Sequence, residues 1–371
     1  MKFTVNRDAL AEKLQTVLSV VSTRTTLPIL GNILISADSE QLELAATDLD
    51  LSVLCKIPAK VTKAGTTTIP ARTFAEMVRE LPDEDVAVNV TGNRMEIKTG
   101  RGVYKISGMP AEEFPKLPSV PETGENLIPG DQLKSMVQRT TYAASVDPTR
   151  PALNGILWQS NGEGMSMVAT DGHRLARVRV SENRLAGHEG DVIIPPKALS
   201  LVIKILGEEE TDIGVTLGEK NIMFHVGDTV VTSRLIEGPY PNYQQVIPSS
   251  NDKQLTVDAA TLMAGVRRVA VLSNSLTHQV RFYLSNDKLE LSAANQDIGG
   301  EAKESLPCQY KGDDLEVGYN ANYILDMLKN YEDGDVTFEL ATSVSAGVVH
   351  SAKEDQKDDY LCLIMPLRLA E

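Results

Sequence analysis

Three stretches of this chain read alike: Leu42-Glu-Leu-Ala-Ala-Thr-Asp48, Met165-Ser-Met-Val-Ala-Thr-Asp171 and Leu289-Glu-Leu-Ser-Ala-Ala-Asn295. Each sets large apolar, large apolar and small apolar residues at period two, the pattern of a half-buried strand with a close fit at its end. The second lies 123 residues after the first and the third 124 after the second, about one third of the 371 residues. A period of that length is a repeated domain.

Outward from these strands the same order recurs. A turn precedes each: Asp38-Ser39-Glu40-Gln41, Asn161-Gly162-Glu163-Gly164 and Asn286-Asp287-Lys288. Before each turn lies an apolar run: Ile33-Leu34-Ile35, Ile156-Leu157-Trp158 and Phe282-Tyr283-Leu284. These are hairpins. Opening helices are expected over Asp8–Val21, Asp131–Ala144 and Asp258–Leu272, each with an Asp for N-cap or first-turn duty. Second helices are expected over Ala71–Leu81, Pro196–Leu206 and Asn320–Asn330, followed by the alternating strands of Val86, Ile213 and Val336. Pro/Ser/Gly-rich joints at 118–124 and 248–252 separate the repeats. The fold class is α+β, with three domains over 1–125, 126–250 and 251–371, two helices against antiparallel sheet in each.

The net charge is −15. That excludes a protein gripping nucleic acid through overall basicity, since phosphates would repel it. The charge is unevenly placed. The six expected helices hold ten Lys/Arg against seven Asp/Glu, while the rest of the chain is strongly acidic. Some basic positions recur with the repeat: Arg79, Lys204 and Lys329, and seven residues earlier Arg72, Lys197 and Asn322. Scattered charge is ordinarily a solvated helix face, but recurrence at matched positions points to a basic helical surface on an acidic body.

Cys55, Cys308 and Cys362 are too few and scattered for a disulfide framework. The opening twenty residues interleave charge with apolar residues, unlike a secretory leader, and no window is apolar enough to span a membrane. A cytoplasmic protein is expected. No phosphate loop, GxGxxG, CxxC, HExxH or GxSxG motif occurs, and the five His have no metal-ligand spacing. Neither a catalytic residue, a metal nor a cofactor is expected. The segment that looks most like chemistry is Thr170-Asp171-Gly172-His173-Arg174-Leu175. An Asp–His general base is conceivable there, but residues two apart in a turn rarely aim at one substrate atom. Asp171-Gly172 reads better as a tight turn.

The threefold repeat, Leu27-Pro-Ile-Leu-Gly-Asn32, the Ala169–Leu175 heptapeptide and Met365-Pro-Leu-Arg-Leu369 together resemble the bacterial DNA polymerase III beta subunit family, the sliding clamps, over essentially the whole chain. The resemblance implies a non-enzymatic processivity factor. Two chains would join head to tail as a homodimeric ring of six domains around double-stranded DNA, held by topology and independent of sequence. Twelve helices roughly 10 Å across, set on a circle, leave a hole on the order of 25–30 Å, enough for a duplex.

Partners implied are the polymerase III alpha subunit, the clamp loader and other proteins bearing a short clamp-binding peptide. The implied peptide pocket comprises Leu153, Thr170, Gly172, His173, Arg174, Leu175, Pro241, Val246, Asn320, Tyr323, Val344, Met365, Pro366, Leu367 and Arg368. Gln245, Thr277 and Ala346 depart from the family's usual residues, and Ala370-Glu371 extend past its usual end. Implied DNA contacts are Arg24, Arg72, Arg150 and Lys197, with Pro151-Ala152 replacing an aromatic pair. At the dimer joint, Tyr104 and Ile106 would meet Val271 and Leu272, with Arg94 and Arg101 facing Glu301 and Glu304. Two other readings stand beside the clamp: an enzyme using Asp171, His173 and Arg174, and a protein-interaction hub that never meets DNA.

Overall fold

A computed structural model describes residues 1–22, 25–82, 84–100, 102–118, 126–161, 164–181, 190–208, 211–331, 334–353 and 359–369. Arg24, Arg101, the joint at 119–125 and the Ala370-Glu371 tail lie outside the described residues. Two α-helices arise per repeat: α1 (Arg7–Val17), α2 (Ala71–Glu80), α3 (Gly130–Thr141), α4 (Pro196–Leu206), α5 (Ala259–Ala270) and α6 (Ala321–Leu328). Asn6, Asp258 and Asn320 cap α1, α5 and α6 by accepting first-turn N–H groups, and Pro196 opens α4 where its missing N–H costs nothing. These helices carry ten Lys/Arg against six Asp/Glu.

The opening helices stop sooner than apolar periodicity implies. α1 ends at Val17 and not at Val21, because Ser19, Val20 and Val21 turn their N–H groups to carbonyls three residues back. That tighter winding still buries Val20 and Val21. α3 ends at Thr141, short of Ala144, where the Thr140 and Thr141 hydroxyls bond back to Met136 and Val137 carbonyls. α5 ends at Ala270, short of Leu272, and Ser273 Oγ donates to the Ala270 carbonyl.

The chain packs as two compact units, residues 1–133 with 197–235, and residues 134–196 with 236–371. This division runs through the middle repeat because the large sheets draw strands from two repeats each. In the first unit Leu51–Pro58 pairs antiparallel with Thr229–Arg234, joining an eight-stranded sheet. In the second unit Arg174–Val180 pairs antiparallel with Asp359–Ile364, joining a nine-stranded sheet that buries Trp158.

The two joints use the same register. Directly opposed residues form a row Ala46, Val53, Val231, Phe224, Val215 in the first unit. The matching row in the second is Ala169, Ala176, Cys362, Val349, Phe338. Each joint ends in the same backbone bond, Arg234 N–H to Asp50 O and Met365 N–H to His173 O, both 2.8 Å. The third row is split. Val88, Ile97 and Tyr104 reach the outermost strand of a five-stranded sheet, Val103–Ser107. Ala293 and Ala302 reach the outermost strand of a four-stranded sheet, Gly300–Pro307.

No helix among the described residues is long and apolar enough to cross a membrane.

Candidate functional site

The Ala169–Leu175 segment is a wired turn at the end of a buried strand. Asp171 Oδ1 accepts the N–H groups of His173 (2.8 Å) and Arg174 (3.0 Å). Thr170 Oγ1 donates to Arg174 O (2.6 Å) and accepts from Gly172 N–H (3.1 Å). Gly172 sits at φ +89°, where a side chain is strained. A β-carbon there would stand 3.0 Å from Arg150 Nη1, so the Arg150 guanidinium lies against the turn, its Nε held by Asp147 at 3.1 Å.

Arg174 does not stand free on a rim. Its side chain is 13% exposed and bonds Asp171 Oδ2 (3.1 Å) and Asp326 Oδ2 on α6 (2.9 Å). Its guanidinium carbon lies 4.4 Å from the centre of the Tyr323 ring and 5.4 Å from that of Tyr142. His173 stacks on Tyr323 at 6.5 Å. Burial alone would raise the Asp326 carboxyl, but Lys329 and Arg174 hold it below the ordinary aspartate value.

The chain's end is seated beside this turn. Met365 N–H donates to His173 O, Leu367 N–H to Gly318 O (both 2.8 Å), and Gln279 Nε2 to Arg368 O (3.2 Å). Gly318 lets the tail pack closely there, since a β-carbon would come within 2.8 Å of Leu369 Cδ2 and 3.1 Å of Leu367 O. Asn320, two residues on, caps α6 and so fixes the first turn that carries Tyr323. Leu175 is buried with Leu157, Val168, Ile193, Tyr243, Ala346 and Leu363. Tyr243 and Ala346 bring their own neighbours to this cluster, leaving Val246 and Val344 exposed at 56% and 67% and Met365 at 39%. Leu153 is buried and Pro241 exposed. The result is an apolar floor with exposed valine and methionine edges and a His–Tyr wall. Geometry of this kind suits an extended peptide better than a reaction.

Under the wall, Tyr142 Oη lies 3.1 Å from both Tyr360 Oη and Cys362 Sγ, and Tyr331 Oη donates to Val349 O. Burial pushes all three phenols and the Cys362 thiol upward, which keeps them neutral.

Elsewhere, Lys197 pairs with Asp48, and Arg72 is exposed on α2. Tyr104 and Ile106 lie on the outermost strand Val103–Ser107. Val271 is 77% exposed just past α5, and a β-carbon on Gly300 would stand 3.0 Å from Leu272 Cδ2. Glu304, one of the acids expected at a joint, is bonded by Arg268 of its own chain through both guanidinium edges. Tyr142, Asp326, Gly318 and the position of Arg150 were not read as site features from sequence. Only the basic type of Arg150 and its nearness to the Leu153 segment hinted at a place in the site.

Models of the DNA polymerase III beta subunit match this chain at 1–118 for the N-terminal domain, 127–242 for the central domain and 244–368 for the C-terminal domain. The chain is 35% identical over 372 residues to the beta sliding clamp of Escherichia coli K12, each covered in full. The crystal structure of DNA polymerase III subunit beta from Pseudomonas aeruginosa superposes with a TM-score of 0.94 at 33% identity, covering 99% of this chain and all of that one. A sliding clamp from the same organism bound to griselimycin superposes at 0.93, also at 33% identity with both chains fully covered.

Proposed function

The chain belongs to the DNA polymerase III beta subunit family, and from that premise we propose how this clamp closes on DNA and takes its partners. It is a sliding clamp, a non-catalytic processivity factor acting in the bacterial cytoplasm. As a head-to-tail homodimer it encircles duplex DNA and tethers the polymerase and other replication proteins. Its domains are 1–125, 126–250 and 251–371.

The observation that carries ring closure is the split third row. Two rows are completed within the chain at the same register, and the third has one half on each outermost strand. A second copy supplies what is missing. Matching Val231–Val53 and Cys362–Ala176 sets Tyr104 opposite Ala302 of the other copy. Lys105 then faces Glu301, an opposite-charge cross-strand pair, and Ile106 faces Gly300. Because Leu272 and Ile298 lie over Gly300, Ile106 packs on Leu272 there, and the exposed Val271 adjoins it. Apolar contact dominates, since exposed ion pairs contribute only about 0–1 kcal/mol.

DNA contact is loose and sequence-independent, through Arg24, Arg72, Arg150 and Lys197. Partner peptides occupy the groove of Leu153, Gly172, His173, Leu175, Pro241, Val246, Tyr323, Val344 and the Met365–Arg368 tail. Arg150 also borders that groove, being packed on Gly172. The test is to load the protein on nicked circular DNA with a clamp loader, raise the salt, and cut the circle. Retention before cutting and release after it are expected. Equal retention in both states would overturn topological binding.

A further inference from the structure

An arginine in a peptide groove is ordinarily read as a hand for the ligand's acidic groups. Arg174 has little left to offer one. Two of its donors are taken by Asp171 and Asp326, its guanidinium lies over the Tyr323 and Tyr142 rings, and only 13% of the side chain meets solvent.

We propose that Asp326, a residue that does not line the groove, is a positioning residue for peptide binding and acts through Arg174. The proposal rests on the peptide-groove reading above. Tyr323 and Asp326 are three residues apart on α6 and so share a helix face. Asp326 draws the guanidinium along that face until it lies over the Tyr323 ring, and the same cation also lies over Tyr142, just past α3. The aromatic ring that stacks with His173 is thereby held from beneath.

The turn cannot hold this arrangement alone. Asp171 uses Oδ1 on the backbone N–H groups of His173 and Arg174 and Oδ2 on Arg174 Nε. Those bonds shape the turn locally but bind it to nothing on α6. The bond spanning 152 residues from Arg174 Nη1 to Asp326 Oδ2 ties the turn to the helix. The other carboxylate oxygen, Oδ1, is taken by Lys329 at 2.9 Å, one turn along the same helix. Lys329 therefore occupies an oxygen that does not reach the turn, and Arg174 alone carries the carboxylate's charge across to it. A charge-assisted pair with cation–π contacts to two rings is strong for its size and directional. With the Asp326 charge removed, Arg174 loses its pull toward Tyr323. The His173–Tyr323 wall then samples positions that a bound peptide must reorder.

The experiment measures the affinity of a fluorescent peptide, bearing a Gln and a Leu-Phe end, for the full-length protein. Asp326→Asn keeps shape and removes charge, and it should weaken binding about five- to tenfold. Asp326→Glu restores the charge and should bind within about twofold of wild type. Lys329→Ala should also stay within about twofold. In an Arg174→Gln background, Asp326→Asn should have no further effect, the signature of acting through that arginine. A peptide with its acidic residues made neutral should show the same ratio between wild type and Asp326→Asn. Native mass and thermal midpoint identify any variant that has lost its fold. Wild-type affinity in folded Asp326→Asn would overturn the proposal, as would failure of Asp326→Glu to restore binding. If the wild-type protein itself takes no peptide, the groove reading is the one that fails.

Discussion

Leu49 holds a backbone φ of +84° in the first unit, and its counterpart Gly172, 123 residues later, holds +89° in the second. The bonding around them is the same. Asp48 Oδ1 accepts from Asp50 and Leu51 N–H as Asp171 Oδ1 does from His173 and Arg174, and Thr47 Oγ1 matches Thr170 Oγ1. A leucine in that region costs roughly 1–2 kcal/mol, yet the turn keeps its shape, so the bonds outweigh the strain. Removing the side chain relieves strain but frees the unfolded chain, and the two nearly cancel. Leu49→Gly should therefore leave stability within about 1 kcal/mol of wild type. Gly172→Ala should cost about 1 kcal/mol and also weaken peptide binding, because its new methyl meets Arg150. Urea denaturation and peptide titration check both. A large loss from Leu49→Gly would mean the side chain, and not the turn, matters there.

The register at the joint between copies has a covalent test. By the matched bonds at Arg234 and Met365, Tyr104 and Ala302 form a non-hydrogen-bonded pair, the closer kind, with α-carbons about 4.5 Å apart. Tyr104→Cys with Ala302→Cys, in a Cys308→Ser background, should cross-link covalently into dimer on mild oxidation. The pair one residue out of step, Tyr104→Cys with Lys303→Cys, should cross-link far less. The reverse preference would shift the strand by one residue.

Gly318 governs the seat of the chain's end. Gly318→Ala should push Leu367 and Leu369 away and reduce peptide affinity about tenfold, with the dimer intact by native mass. Removal of residues 365–371 should abolish binding altogether. Undiminished binding by the truncated protein would place the peptide elsewhere.

Acid should erase the contribution of Asp326 but not that of its shape. Its folded value lies below that of the unfolded chain, near 3.9. The stability it adds is therefore complete above that unfolded value and is lost as pH falls through the lower folded one. Wild type should exceed Asp326→Asn by about 1 kcal/mol at pH 7 and nearly as much at pH 5, and the gap should close below about pH 4. Paired denaturation curves at these pH values decide it. A gap that does not narrow at all as pH falls below the unfolded value would show that charge is not its source.

Much of the architecture is legible in the sequence. The three matched strands, their hairpins and the limits of α4 follow from period and turn chemistry, because those signals are local. Helix ends were harder, as at Val20 and Val21, which stay buried in a tighter winding that keeps the apolar pattern going. The turn and the tail of the site were also legible by type. What held Arg174 was not. Tyr142 and Asp326 lie 32 and 152 residues away and carry no spacing that marks them. The bond of Arg268 to Glu304 carries no such mark either, since it reaches across a helix–sheet contact between residues 36 apart.

The single tryptophan, Trp158, is buried in the nine-stranded sheet of the second unit. Indole fluorescence is therefore a private channel. Heating or denaturant followed by that emission reports the loosening of the second unit and is silent on the first. Both units are built on extended antiparallel sheets, so far-ultraviolet circular dichroism records the whole molecule. Any separation between the two melting curves measures how far the units come apart in sequence and not together.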